Sequence, residues 1–218
     1  MGSSRPPPDR APGLFDEADR RANETAFPMT TSGGLRVMLR ALRPSDADEL
    51  EAGFEQLSAD SRYLRFFTPL DTLNDRMVER FVNPDQVDHV ALGAMDPSTE
   101  LPEGIGVARA FRLQDDSAAA EFAVAVIDDY HSQGLGSLLL DALGVACARV
   151  GITTMTAEVL STNTPMLSLV DRRQGTRSPV PGDASVTDVR IPVASLTSRV
   201  DAADRRRIEQ HFTEAASS

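Results

Sequence analysis

The stretch from Ala119 to Leu140, AAEFAVAVIDDYHSQGLGSLLL, constrains the fold more than any other part of the chain. Its first nine residues are a short apolar run of strand type. Gly134 and Gly136 follow where the chain must turn. Leu139, Leu140, Leu143, Ala146, Cys147 and Val150 then recur at helical spacing up to Gly151, which fits a C-terminal cap. A strand feeding through a tight loop into a long buried helix requires an α/β arrangement. Glycine at the turn lets backbone N–H groups approach an anion without interference from a Cβ, and the helix dipole adds positive potential. The segment therefore suits a pyrophosphate, although spacing alone equally describes a plain tight turn. A dinucleotide fingerprint fits less well, because Leu139 stands where the third glycine of GxGxxG belongs.

The remaining elements arrange themselves around this unit. Residues 1–34 read as an unstructured N-terminal tail: Pro6-Pro7-Pro8, Pro12-Gly13 and Ser32-Gly33-Gly34 bracket a charged stretch with few apolar anchors. Leu35, Val37 and Leu39 alternate with polar residues as a half-buried strand, which Pro44-Ser45-Asp46 ends while opening a helix with the stripe Leu50, Phe54, Leu57. Short helices are expected around Tyr63–Phe67 and Met77–Val82, the latter stopping at Asn83-Pro84. Strands follow at His89–Met95, Gly104–Phe111 and Ala119–Ile127, separated by turn signals at Asp96-Pro97, Pro102 and Gln114-Asp115-Asp116. Beyond the long helix come a strand at Thr153–Val159, a helix at Pro165–Arg173, a Gly/Pro-rich stretch, a strand at Val186–Val193 and a helix at Asp201–Phe212. The order β-α-α-α-β-β-β-α-β-α-β predicts a single mixed, mostly antiparallel sheet flanked by helices, with the folded domain over 35–196 and a C-terminal helix or tail over 197–218.

Composition narrows the chemistry. Thirty-three acidic against 22 basic residues leave a net charge of −11, which argues against a nucleic-acid backbone as ligand. All 22 basic residues are arginine. A chain without lysine has no Walker A lysine, no Schiff-base lysine and no kinase lysine. The lone Cys147 forms no intrachain disulfide, and His89, His131 and His211 lie far apart with no HExxH helix, so no metal is expected. No window approaches a membrane span, and the first residues have no apolar signal-peptide core; the expected location is cytoplasmic.

Two segments together resemble the GNAT superfamily of N-acetyltransferases over roughly Leu35 to Val193. His131-Ser-Gln-Gly134-Leu-Gly136 is similar to that superfamily's [Gln/Arg]-x-x-Gly-x-[Gly/Ala] loop, with histidine where glutamine or arginine is usual. Asn163-Thr-Pro-Met166-Leu-Ser-Leu169 is similar to its second cofactor segment. Within the superfamily the chain looks most like the bacterial protein-lysine acetyltransferases of the Pat type, through Leu42-Arg43-Pro44-Ser45-Asp46, Leu57-Ser58-Ala59-Asp60-Ser61-Arg62-Tyr63-Leu64-Arg65-Phe66-Phe67 and Ala120-Glu121-Phe122-Ala123-Val124. After Leu169 the chain departs: Asp171-Arg-Arg-Gln-Gly175-Thr-Arg replaces the usual Leu-Gly-Phe turn.

The resemblance implies a GNAT-like acyltransferase fold and an enzyme using acetyl-CoA as acetyl donor to an amine, foremost a protein lysine. Small-amine acetylation and a non-catalytic acetyl-CoA sensor are the alternatives. It implies that Ser132, Gln133, Gly134, Leu135, Gly136 and Ser137, with His131, hold the pyrophosphate, and that Val124, Ala125 and Val126 flank the acetyl-pantetheine arm. Asn163 either hydrogen-bonds the cofactor or caps a helix. Glu121 shares a strand face with Ala123 and Ala125. From the residues alone it is either a solvent-facing strand acid or a base; the resemblance implies the catalytic base. Many superfamily members carry a leaving-group tyrosine where this chain has Val170, so no general acid is assigned. Ser58, Ser61, Tyr63 and Arg65 either shape the acceptor side or cap and pack a helix, with packing expected for the aromatic residues. His89 reads as an ordinary strand residue and His211 as part of the tail.

Overall fold

The computed structural model describes residues 25–98 and 103–217. Eight strands form one sheet in the order β1-β2-β3-β4-β5-β6-β8-β7: β1 Phe27–Thr30, β2 Arg36–Ala41, β3 His89–Asp96, β4 Glu103–Arg112, β5 Ala119–Val126, β6 Thr154–Leu160, β7 Thr176–Val180 and β8 Asp183–Pro192. Every neighbouring pair is antiparallel except β5 and β6. That parallel pair needs a crossover, and helix α4 (Leu135–Arg149) supplies it across the face of β3, β4 and β5. The opposite face carries α1 (Ala47–Glu55), α2 (Ala59–Phe66) and α3 (Asp75–Val82). Helices α5 (Thr164–Arg172), α6 (Val193–Thr197) and α7 (Ala202–Ala215) complete the fold. The mixed, mostly antiparallel sheet expected from the sequence is the one observed. Among the described residues no helix is long and apolar enough to cross a membrane.

Local chemistry accounts for the element boundaries. Asp46 accepts a hydrogen bond from the Arg43 amide at 3.0 Å, and both its carboxylate oxygens bind buried Arg40, at 2.6 and 2.8 Å. The turn Pro44–Asp46 thereby fastens the start of α1 to β2. Ser58 caps α2 and Asn74 caps α3. Gly144, in mid-α4, has a packing reason: a Cβ there would lie 2.4 Å from the Leu196 Cβ, so the glycine admits α6 against α4.

Three expectations are corrected. The tail proposed over residues 1–34 contains β1, paired to β2 in the register Phe27↔Leu39 to Thr30↔Arg36; residues 1–24 lie outside the described residues, as does the turn expected at Pro102. Phe27 and Met29 are buried while Pro28 and Thr30 are exposed, so four residues suffice for an edge strand. Burying two such side chains contributes about 1.5–3 kcal/mol each, and Pro28 is tolerated because the edge needs no donor there. The Gly/Pro-rich stretch after α5 holds β7, whose residues are exposed but for half-buried Val180, so it shows no alternation for sequence patterning to detect. The C-terminal helix is no appendage: Ile208 and Phe212 enter the core. His211, expected in a tail, accepts the Ala41 amide proton on Nε2 at 2.8 Å and meets Phe27 edge-on.

One buried and one half-buried histidine make stability depend on pH. His89 stacks on Phe111 at 4.0 Å, and its Nε2 is buried without a partner among the described residues. Burial, then the positive charge of Arg109, pushes it down to about 4. Burial, then Arg43, lowers His211. Unfolding returns both to about 6.5, so the unfolded chain binds protons that the folded chain refuses. Their contribution is fully present above about pH 6.5 and is lost as pH falls toward 4, with a slope of at most about 1.4 kcal/mol per pH unit per histidine. Thermal melts from pH 7 to pH 4.5 should show this decline, and His89→Phe should flatten it. An unchanged pH dependence in the variant would disprove the assignment.

Candidate active site

The parallel pairing of β5 with β6 covers only Ala119–Glu121 against Thr154–Thr156. Beyond Glu121, β5 stays paired to β4 as far as Gly106↔Val126, while β6 stays paired to β8. The two strands diverge, and a groove of about 1400 Å³ opens between them. Its floor is Phe122–Val126, whose edge toward β6 has no strand partner among the described residues. One end of the groove is closed by the loop entering α4, and the other walls come from α2, β6 and the start of α5.

The loop entering α4 is held open toward the groove. Gly134 has φ +83°, a conformation that favours glycine, and an added Cβ would displace the Ser32 hydroxyl, which lies 2.7 Å from that position. The helix that follows has no side-chain cap and no acidic residue in its first turn, leaving its leading amides available to an anion. Gly136 differs. A Cβ there would meet nothing closer than 3.8 Å, with Leu169 and Val126 at that distance. The packing of the fold has no need of glycine at this position.

All the residues expected at the site from sequence line this one groove: Glu121, Val124, Ala125, Val126, His131, Ser132, Gln133, Gly134, Leu135, Gly136, Ser137 and Asn163. Their side chains are not equally free. The His131 ring bonds the Val126 carbonyl at 2.9 Å, Gln133 donates to the Asp129 carbonyl at 3.0 Å, and Ser137 Oγ accepts from Arg173 at 2.7 Å. The Leu135 side chain belongs to the core. The loop thus offers mainly backbone donors, with the Ser132 hydroxyl the side-chain donor left without a bond among the described residues. Asn163 caps α5 by accepting the Met166 amide at 3.1 Å, so the capping role is present and its side-chain NH₂ remains without a bond among the described residues.

Sequence reasoning missed one wall. The turn joining β1 to β2, assigned to a tail, sits against the loop: Thr31 Oγ1 donates to the Gln133 carbonyl at 2.6 Å, and a Cβ on Gly33 would lie 2.6 Å from that same oxygen. Ser32 and Gly33 consequently border the groove. No local pattern announces this, because the contact spans 102 residues of chain.

Glu121 is exposed within the groove, paired with Phe111 on β4 and with Thr156 on β6. Its side chain makes no hydrogen bond or close ion pair among the described residues, its charge acts on Arg65 from farther away, and the small side chains of Ala123 and Ala125 leave space beside it. Ser58 caps α2, and Ser61 lies in its first turn: both hydroxyls and the Ser58 amide donate to Asp128, at 2.7, 2.9 and 3.0 Å. Burial alone raises the Asp128 carboxyl, and these three bonds more than offset it, holding it below the usual carboxylate range. Tyr63, expected to pack, is 45% exposed. Val170 is fully buried and presents nothing to the groove. The Tyr130 hydroxyl is committed to Asp96 at 2.7 Å, and burial, then that bond, pushes it up to about 12. Burial likewise raises Cys147 to about 12, an unreactive thiol.

A family model described as an acetyltransferase (GNAT) domain matches residues 36–173. Acetyltransferase Pat of Mycolicibacterium smegmatis is 30% identical over 171 residues, 74% of this chain and 49% of that protein; the chain spans about half the length of this curated relative. The crystal structure of the GNAT domain of S. lividans PAT superposes with a TM-score of 0.69 at 27% identity, covering 78% of this chain and 97% of that one. A cAMP-binding acyltransferase from Mycobacterium smegmatis shares the fold with a TM-score of 0.63 at 24% identity, covering 95% of this chain and 63% of that one.

Proposed function

The chain belongs to the GNAT acetyltransferase family, and from that premise we propose that it moves an acetyl group from acetyl-CoA to an amine, with a protein lysine as acceptor and Glu121 as general base. The divergence of β5 from β6 beside an exposed, unpaired Glu121 is the observation that carries this reading. Acetyl-CoA, when bound, supplies an activated thioester. The leading amides of α4 and the Ser132–Gly136 loop hold its pyrophosphate, and the unpaired edge of β5 receives the pantetheine amides as an added strand would. The open space at Gly136 supports that fit.

A lysine with an ordinary pKa of about 10.4 is an ammonium ion at pH 7 and must lose a proton before it attacks. The carboxylate of Glu121 attracts that cation and accepts its proton, through a water where the distance requires one. Transfer is direct, because Cys147 is buried and its thiol remains protonated at neutral pH. The reaction is assigned to the cytoplasm, in keeping with a lone buried cysteine. The chain itself, having no lysine, offers no side-chain amine for self-modification.

The direct test is mass spectrometry of a lysine-bearing protein mixture and of small amines incubated with acetyl-CoA and the protein. Acetyl-lysine in the proteins supports the reading. Transfer to small amines alone would replace the acceptor, and no transfer to any amine would overturn enzymatic function. For the donor, Gly136→Asp places a side chain and a negative charge against the pyrophosphate. Calorimetry should show acetyl-CoA affinity falling at least tenfold, about 1.4 kcal/mol, with an unaltered melting profile. Unchanged affinity would move the donor elsewhere.

A further inference from the structure

We propose that Arg65 and Arg109 form a carboxylate-binding subsite on the acceptor side, so that the preferred acceptor carries a carboxylate a short carbon chain away from its reacting amine. This inference rests on the acetyl-transfer reading above and specifies its substrate.

Arg109 lies in the middle of β4, paired with Ala123, and is only 3% exposed. Its guanidinium covers the Phe81 ring at 4.2 Å and donates once, from Nη1 to the Phe81 carbonyl at 3.0 Å. No other bond to it is present among the described residues, and no carboxylate there lies within 4 Å of it. The other deeply buried arginines of the chain are treated differently: Arg40 is gripped by Asp46 and Arg173 by Asp141. Arg65, half-buried on α2, rests over the Phe66 ring at 4.8 Å and has no carboxylate within 4 Å among the described residues, the charge of Glu121 acting on it only from farther away. The two cations repel each other. Burial, then the charges of Arg65 and Arg80, pushes Arg109 down to about 9. A buried charge without a counter-ion is costly, and it is conspicuous in a chain of net charge −11.

The surroundings fit an anionic group. A cavity of about 100 Å³ lies between the sheet and α1–α3, with Arg65 and Arg109 in its wall. Gly93 and Gly104 make room for it, a Cβ on either meeting nothing closer than 3.9 Å. It shares Leu57, Arg65, Phe66 and Ala125 with the larger groove, so a group in the cavity is continuous with one beside Glu121. At the far end two acids, Asp46 and Glu49, are already matched by Arg40, at 2.6 and 3.4 Å. Guanidinium forks bind carboxylates bidentately, and they do so more strongly where water is excluded.

The sheet register sets the spacing. Phe111 pairs with Glu121, and Arg109 is two residues along from Phe111 on the same face, making Arg109 and Glu121 diagonal neighbours about 7–8 Å apart. The Glu121 carboxylate draws an ammonium while the arginine pair draws a carboxylate. An acceptor with both charges satisfies both ends, whether it is a free amino acid or a peptide lysine beside an acidic residue.

Initial rates with saturating acetyl-CoA test this on two matched pairs: Nα-acetyl-lysine against its carboxamide, and a peptide with glutamate next to its single lysine against the glutamine counterpart. The carboxylate member of at least one pair should show a KM about tenfold lower, and the pair that discriminates identifies the source of the carboxylate. That ratio should fall below twofold in Arg65→Gln and in Arg109→Met. Should Arg109→Met fail to fold, Arg65→Gln on the half-buried position carries the test alone. Amines acetylated without discrimination in the parent, or discrimination that survives substitution, would overturn the subsite and leave acetyl transfer standing. Absence of transfer to all four compounds and to every protein lysine would overturn the transfer reading itself, and the subsite with it.

Discussion

Glu121→Gln should lose about a hundredfold or more in turnover at pH 7, because a positioned general base contributes on that scale. The substitution keeps shape and hydrogen-bonding capacity and removes charge and basicity. The Glu121 side chain makes no hydrogen bond among the described residues and meets Arg65 only through longer-range charge, so the fold should register little of the change. Acetyl-CoA should bind nearly as tightly as to the parent, since the loop at Gly134 and Gly136 is a separate part of the groove. Part of the lost rate should return at high pH, where free amine needs no base. Full activity in the variant would mean that the proton leaves by another route.

Arg173→Met should destabilise the protein by about 3–5 kcal/mol, the cost of stranding one member of a buried ion pair. The Arg173 side chain is wholly buried, with Nε on Asp141 Oδ1 at 2.7 Å and Nη2 on Asp141 Oδ2 at 2.8 Å. It also reaches the Ser137 carbonyl and hydroxyl at 2.9 and 2.7 Å and the Leu169 carbonyl at 3.2 Å. Without it, Asp141 keeps only the more exposed Arg199 at 3.6 Å, in a site where burial already raises its carboxyl against the pull of Arg173. Urea denaturation measures the loss. The double variant Arg173→Met/Asp141→Leu should recover most of it, because replacing both partners leaves no unpaired charge. A single variant within about 1 kcal/mol of the parent would show that water reaches the pair.

That ion pair also explains the departure after Leu169. The segment Asp171–Arg177 does not follow the usual pattern of the family, yet it is anchored at both ends. Arg173 ties the end of α5 to the start of α4. A Cβ on Gly175 would lie 2.5 Å from Val170 Cγ1 and 3.0 Å from the Arg190 carbonyl, so the chain must pass as glycine into β7. Arg173 thus does for α4 and α5 what an apolar residue does elsewhere, and only the long-range pairing makes that visible.

The sequence by itself determined the elements whose residues carry a local period or a local stop. The strand Ala119–Val126, the turn through Gly134, the apolar helix Leu135–Arg149 and the cap at Asn163 follow from alternation, backbone freedom and capping, all of which act within a few residues. It also determined which residues meet in the groove, since a strand, loop and helix joined in series leave little choice about where Glu121, Val124 and Gly136 lie. Tertiary structure alone decided the rest. The β1–β2 turn became a wall of the loop, the C-terminal helix became core, and β7 became a strand through a partner rather than through its own pattern. Arg109 reads from the sequence as one polar residue in an apolar strand. That it faces Arg65 with no carboxylate of its own within 4 Å among the described residues depends on the β4–β5 register and on the packing of α2 over it. A side chain's charge is local, whereas what neutralises it is settled by residues that only folding brings near.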